Sequence, residues 1–391
     1  MEKIFDVIVI GAGIMGCATA LELAKRGRRV LVLEKGQLGE NSSGKSSAII
    51  RQHYSNLTTA RMALHSLRVF QDFKHQVGGE SGFTETGFLA LTSDKDYEGL
   101  KANVALQQSV GIRTEVVSRQ DLQEHWPAFA TTDLAAAAYE PESGYADPYL
   151  TLSSYMQAAK RHGVEFLFDT MVTGIRFKGG KVQGVDTGAN AFDTPQVLNC
   201  AGAWGASVGR MADIELPIDS CRVQVTFFRR PPGHEQVHPV IADFVHGVYW
   251  RSETGNLTLI GLIDPEEAKA VVDPDNFNER IDLDFIANVG ERLVRRFHVM
   301  EASENTGGYS ALYGITPDWH AVMDEPNSGS GFFVCAGFSG HGFKLGPAVG
   351  LMTADMVTGV DTPDMDRRMF RLSRFAEDDP VKGMYEYSIV G

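Results

Sequence analysis

Three glycines spaced Gly11-x-Gly13-x-x-Gly16, with an acid at Glu34, are the residues of this 391-residue chain whose types and spacing speak first of chemistry. They lie in VIVIGAGIMGCATALELAKRGRRVLVLEK, residues 7–35. The β-branched run Val7–Ile10 predicts a strand, the apolar pattern through Ala20, Leu23 and Ala24 a helix, and Val30–Leu33 a second strand. Gly11 permits a tight turn, Gly13 lets backbone approach a pyrophosphate, and Gly16 lets helix and strand pack closely. The helix N-terminus, at Ile14 and Met15, offers N–H groups and partial positive charge to phosphates, and Glu34 can accept hydrogen bonds from a ribose. A glycine triplet alone is a weak signal. Here the strand, the helix, the second strand and an acid about 20 residues on all accompany it.

Composition fits an α/β enzyme of about two domains, since the chain exceeds the size at which one core usually keeps growing. A formal charge of −14 argues against a nucleic-acid or anionic-membrane surface, so an anionic substrate needs local cations. The four cysteines, Cys17, Cys200, Cys221 and Cys335, show no C-x-x-C spacing and read as buried free thiols of a reducing compartment, with no metal site. No apolar run reaches membrane-spanning length and residues 1–6 lack a basic leader pattern, so a cytoplasmic location is expected.

The elements that must position these residues follow in order. A polar loop, Gly39–Ser47, contains Ser42, Ser43, Ser46 and Ser47, and a helical pattern runs over Leu57–Val69. Residues 87–140 read as a separate α+β segment, with a strand at Phe88–Leu91, a helix over Asp94–Ser109 and a helix start at Ser118–Asp121. Asp147 and Pro148 form an N-cap and first helical position for a helix ending near His162. Strands are expected at Val164–Phe168, Val172–Phe177 and Val182–Val185, with a hairpin turn at Gly179–Gly180. Further strands are expected at 194–202, Val223–Phe228, Gly247–Arg251 and Leu257–Ile263. An amphipathic helix over Ile281–Phe297, a buried strand at Gly331–Cys335 and an apolar helix over Pro347–Val357 complete the pattern. Segments of a nucleotide domain thus alternate with those of a substrate domain, enclosing a ligand at their boundary.

The N-terminal pattern closely resembles the fingerprint of FAD enzymes of the D-amino-acid oxidase superfamily. Asn199-Cys-Ala-Gly-Ala-Trp204, Gly314-Ile-Thr-Pro-Asp318 and Gly337-Phe-Ser-Gly-His-Gly-Phe-Lys344 resemble the same superfamily. Ala48-Ile-Ile-Arg51, Leu312–Asp318 and GFSGHGFK are most similar to the sarcosine oxidase group, both the single-chain enzyme and the β subunit of the multi-subunit one. The resemblance implies a Rossmann-type FAD-binding domain, interleaved with an α+β substrate domain built on an antiparallel sheet. Residues 1–86, 145–217 and 307–370 would bind FAD, 87–144 and 218–306 would form the substrate domain, and 371–391 would be a C-terminal tail. Besides the glycine turn and Glu34, it places Lys35, the four loop serines, Val172, Ala201, Gly202, Trp204, Gly337, Gly340, His341, Gly342, Phe343 and Lys344 at the cofactor. The glycine loop before the last helix lets backbone pass close to a planar ring, and the helix would aim its positive end at the flavin's pyrimidine edge.

The resemblance also implies that Arg51 and Lys344 hold a substrate carboxylate. Arg offers a fixed fork and Lys a point charge. Tyr313 would line the amine pocket, although a core tyrosine with a satisfied hydroxyl fits its surroundings as well. His341, His53 and Tyr249 are weaker candidates for pocket or proton-handling roles. The sequence departs from the group in two places. Ala311 stands where a flavin-linking cysteine is found, so FAD is expected to be non-covalent. The strand of residues 256–261 carries no lysine of the oxygen-activating kind, so a carrier or quinone becomes a realistic acceptor. No second GxGxxG follows a strand, which leaves the substrate as the source of reducing equivalents. The expected reaction is oxidation of the C–N bond of a small secondary amino acid, an N-substituted glycine of the sarcosine type. Hydride passes to flavin and the imine is then hydrolysed. The alternatives are an L-proline-type dehydrogenase subunit of a hetero-oligomer and a non-catalytic flavoprotein assembly subunit.

Overall fold

Two large sheets organise the protein, for which a computed structural model describes residues 4–263 and 270–383. The first has six strands in the order Val322–Asp324, Phe332–Ala336, Val197–Asn199, Val7–Ile10, Val30–Leu33 and Glu165–Leu167. All neighbours are parallel except Val322–Asp324 against Phe332–Ala336. The central strands are short and buried on both faces, as strands covered from two sides must be.

One face of this sheet is covered by the helices Ile14–Lys25, Leu57–Gln71, Pro148–Arg161 and Gly342–Thr358. The other is covered by the antiparallel meander of Val172–Lys178, Lys181–Thr187 and Ala191–Asp193 and by the apolar residues Val208–Ile218. The expected cap forms, with Asp147 accepting from the Leu150 N–H at 2.7 Å, and Asn56 caps a second helix by accepting from that of Thr59 at 2.9 Å.

The second sheet has eight strands, in the order Glu304–Ile315, Asp219–Arg229, Leu257–Leu262, Val248–Glu253, Val240–Asp243, Phe88–Thr92, Ala136–Glu140 and Glu115–Ser118. It is antiparallel except where Val240–Asp243 runs parallel to Phe88–Thr92. Helix Leu283–Arg296 packs on one face, and helix Tyr97–Ser109 inserts Leu100 and Val104 into the other. Arg296 ties the helix down through a buried ion pair with Asp243 at 2.8 Å and a second with Asp133 at 2.6 Å. Besides the meander, a small fourth sheet joins Ile49–Ile50, Gly144–Tyr145 and Thr84–Glu85.

Three findings depart from the sequence reading. The last helix begins at Gly342, not Pro347, which lies inside it. Pro347 stands beyond the first N–H groups that lack intrahelical partners, so the helix continues through it and forgoes the bond to the Phe343 carbonyl. The strands Ala136–Glu140 and Glu304–Ile315 were not legible, one being alanine-rich and the other containing Gly307 and Gly308. Beyond residue 370 the chain packs rather than trails. Arg374 is fully buried, and its Nε donates to Asp318 Oδ2 at 2.8 Å. Residues 384–391 of the expected tail lie outside the described residues.

Candidate active site

The glycine turn has the conformation its sequence predicts. Gly11 adopts φ +106°, and a Cβ there would stand 2.6 Å from the Cys200 carbonyl oxygen of the neighbouring strand. At Gly16 a Cβ would collide with the carbonyl oxygen of Gly11, so helix and turn fit only without a side chain. The Glu34 carboxylate braces the turn: Oε2 accepts from the Ala12 N–H at 2.8 Å and Oε1 from that of Gly36 at 2.9 Å. Sequence reasoning gave Glu34 only a ribose role and missed this bracing. Ser43 Oγ accepts from the Ile14 N–H at 3.0 Å, and Ser42 Oγ donates to the Leu312 carbonyl at 2.7 Å. The polar loop thereby joins the helix start to strand Glu304–Ile315.

Helices Ile14–Lys25 and Gly342–Thr358 pack side by side, Gly346 against Ile14 and Gly350 against Ala18. Their N-terminal ends reach the same cavity of about 340 Å³, which Gly13, Ile14, Met15, Gly340, Gly342 and Phe343 line. Two positive helix ends therefore face one chamber. Gly11, Glu34, Lys35, the four serines, Val172, Ala201, Gly202, Trp204, Gly337 and Tyr313 also line it, while Gly16, Arg51, His341 and Lys344 do not. Gly340, at φ +87°, lays its backbone against the Tyr313 ring, where any Cβ would clash.

Two ionic ties at the edge of the cavity, from Asp275 and Glu279, had no sequence signal. Asp275 reaches its wall from beyond the second sheet. There Oδ1 pairs with Lys35 Nζ at 2.5 Å and accepts from Trp204 Nε1 at 2.8 Å, with Lys35 Nζ 3.6 Å from the centroid of the Trp204 ring. Glu279 makes a parallel tie to Lys45 at 2.9 Å. At the other end of the cavity the Tyr249 hydroxyl is hydrogen-bonded to those of Tyr313 and Ser47. Burial, together with the neighbouring Tyr249, pushes the Tyr313 phenol well above its usual value, so it stays protonated.

Arg51, His341 and Lys344 stand together behind this end. Lys344 Nζ donates to the His341 carbonyl at 3.5 Å, and His341 Nε2 to that of Trp319 at 2.7 Å. Burial, and then the Arg51 guanidinium, press the Lys344 ammonium well below the usual lysine range. Burial, with His320 and Lys344 nearby, does the same to His341, leaving its ring neutral. His53 is buried farther back, with Nδ1 3.2 Å from Gln107 Nε2.

These residues fit a flavin dinucleotide. The glycine cradle and two helix ends suit a pyrophosphate and an electron-rich ring edge, and Ala311 lines the cavity where a thiol link would stand. All four cysteines are free and buried. Among the described residues, no helix is long and apolar enough to cross a membrane.

Comparison with known proteins agrees. The family model described as FAD dependent oxidoreductase (DAO) matches residues 6–356. The chain is 28% identical to human mitochondrial sarcosine dehydrogenase over 95% of its own length, but spans only 41% of that protein. It is 25% identical to the sarcosine oxidase β subunit of Rhodobacter capsulatus, covering 98% of this chain and 92% of that one. The crystal structure of L-proline dehydrogenase from P. horikoshii superposes with a TM-score of 0.89 at 25% identity, over 97% of this chain and all of that one.

Proposed function

The chain belongs to the DAO family of FAD-dependent oxidoreductases, and from that premise we propose that it oxidises the C–N bond of a small secondary amino acid of the sarcosine type. The observation that carries this reading is the convergence of two buried cations, Arg51 and Lys344, beside the tyrosine-lined end of the cavity. Two like charges held out of water are costly, and a carboxylate between them offsets that cost. A bound carboxylate would also favour the charged form of Lys344, which burial and then Arg51 disfavour. In this reading residues 1–86, 145–217 and 307–370 hold the cofactor, while 87–144 and 218–306 shape the substrate side.

When bound, FAD supplies the electron-pair acceptor of the reaction. Gly11 and Gly13 would give its phosphates backbone access, Glu34 would accept from its ribose, and Gly337–Gly342 would hold its ring. Arg51 and Lys344 orient the substrate by its carboxylate, and positioning of this kind supplies much of the acceleration. Tyr313, held protonated, presents its ring to the amine. Neutral His341 keeps its Nε2–H on the Trp319 carbonyl and so fixes the start of the last helix.

The test is anaerobic bleaching of the flavin by sarcosine, L-proline, pipecolate, iminodiacetate and D- and L-amino acids. Bleaching by the secondary amino acids is expected. None by any amino acid would sink the reading and leave the non-catalytic assembly subunit. An L-proline-type dehydrogenase is the second reading, favoured by strand Leu257–Leu262, which carries no lysine and sets Gly261 against the Tyr249 hydroxyl. Dye reduction without oxygen uptake would select it. A place in a hetero-oligomer belongs to the same proposal, since one relative is a β subunit.

A further inference from the structure

Arg51 donates to the carbonyl oxygen of His53, and its Cζ lies 4.5 Å from the centroid of the Tyr54 ring. Its guanidinium is therefore placed by the backbone of residues 52–54, a stretch without regular secondary structure. Buried backbone of that kind must find its partners outside itself. Here the Gln52 N–H donates to Glu140 Oε2 at 2.8 Å, and the Tyr54 carbonyl accepts from Gln107 Nε2 at 3.1 Å. The same Gln107 nitrogen lies 3.2 Å from His53 Nδ1. One side chain thus grips the loop just after Arg51 and another grips it three residues on.

Neither grip is incidental to packing. Glu140 ends strand Ala136–Glu140, Gln107 stands on helix Tyr97–Ser109, and both are fully buried at 0% exposure. A buried carboxylate is expensive unless donors meet it. Glu140 Oε2 meets two, the Gln52 N–H and the Ser143 hydroxyl at 2.7 Å. An apolar residue on this strand would have served the core more cheaply, and what the carboxylate adds is a fixed position for the backbone that carries Arg51.

We propose that Glu140 and Gln107 are positioning residues for the substrate-binding arginine, holding the loop 51–54 so that the Arg51 guanidinium is preset for a carboxylate. The inference rests on the amino-acid reading above for its effect on substrate, but its effect on Arg51 can be read without substrate. The variants are Glu140→Ala and Gln107→Met, which remove the grips, and Glu140→Gln, which keeps an acceptor oxygen. Ser143→Ala is the control, because it strips the hydroxyl that Glu140 accepts from and leaves the loop bond intact.

Two measurements apply to the flavin-loaded proteins: the rate at which phenylglyoxal modifies Arg51, followed by peptide mass, and the KM for flavin bleaching by sarcosine and L-proline. Glu140→Ala and Gln107→Met should speed labelling and raise KM about ten- to hundredfold, the scale of a lost buried hydrogen bond. Glu140→Gln and Ser143→Ala should stay near the parent. Unchanged labelling and KM in both grip variants overturn the proposal, as does a matching rise in Ser143→Ala, which would mark a general loosening. Should Glu140→Ala fail to hold flavin, Gln107→Met decides alone. If no amino acid bleaches the parent while labelling rises as expected, the substrate reading falls and the positioning role stands.

Discussion

The two ends of the cavity are made from different materials. At the nucleotide end, glycine turns and two helix N-termini present backbone, each turn lying directly ahead of its own helix in the sequence. At the tyrosine end, side chains converge from separate segments: Arg51 after the polar loop, Tyr249 and Tyr313 from the second sheet, and Lys344 from the last helix. Backbone surfaces bind what many enzymes share, because every residue carries the same N–H and C=O. Side-chain surfaces set what this enzyme selects. Mutations should therefore sort by end, with changes at the first altering cofactor retention and changes at the second altering substrate use while the flavin stays bound.

The largest effect should come from Gly16→Val. Its side chain would enter the space of the Gly11 carbonyl, and neither element can yield without reshaping the turn. Complete loss of flavin absorbance from the purified protein is expected; a yellow Gly16→Val protein would break the contrast at its first term.

Next, Arg51→Met and Lys344→Met should each cost about 2–5 kcal/mol in kcat/KM, as for breaking a buried charge pair, with flavin retained. The losses should be non-additive, since both cations act on one carboxylate. A pH dependence follows. Lys344 is held below its usual range by burial and by Arg51, so it is charged below that lowered pKa and neutral above it. Its help to the carboxylate is therefore present at low pH and lost as pH rises through that value. The alkaline fall in kcat/KM that results should vanish in Lys344→Met. Persistence of the same limb would assign it to another group.

Glu34→Ala should weaken FAD binding by about 1–3 kcal/mol, the scale of lost hydrogen bonds to a charged group. Because Glu34 also braces the Ala12 N–H, Glu34→Gln should recover part of the loss. Equilibrium dialysis against FAD checks both. Equal FAD affinity in parent and Glu34→Ala would remove Glu34 from the cofactor site.

The smallest effect belongs to Asp275→Asn, which weakens the Lys35 tie while leaving an acceptor for Trp204. The pair is partly exposed, so only about 0.2–1 kcal/mol of FAD affinity is expected, and the difference should fade in high salt. A salt-independent loss would show that Asp275 acts otherwise than through its charge.

This contrast also explains what the sequence could disclose. Residues 7–35 carry a complete local grammar of strand, turn, helix, strand and acid, and local rules suffice to read it. The bond from Gln52 to Glu140 spans 88 positions, and that from Tyr54 to Gln107 spans 53. A glutamine within a helix and a glutamate ending an alanine-rich strand carry no mark of such partners. Strand Glu304–Ile315 was hidden for a related reason. Its extended form is imposed by pairing along Asp219–Arg229, which overrides the weak propensity of its paired glycines. The start of the last helix was misplaced because Pro347 imitates a first helical position. Resemblance brought Arg51 and Lys344 into view, but their common burial is a fact of the fold.

The pairing of helices Ile14–Lys25 and Gly342–Thr358 bears on the order of events during synthesis. The glycine turn leaves the ribosome well before its parallel neighbour Val197–Asn199 and the second helix end facing its cavity. Domains generally fold as units while the chain is being made. Here the glycine turn must wait for the helix Gly342–Thr358, and Arg374 then closes on Asp318 from further along still. Cofactor capture should therefore be a late event: nascent chains halted before Gly342 should hold no flavin, however long they are given.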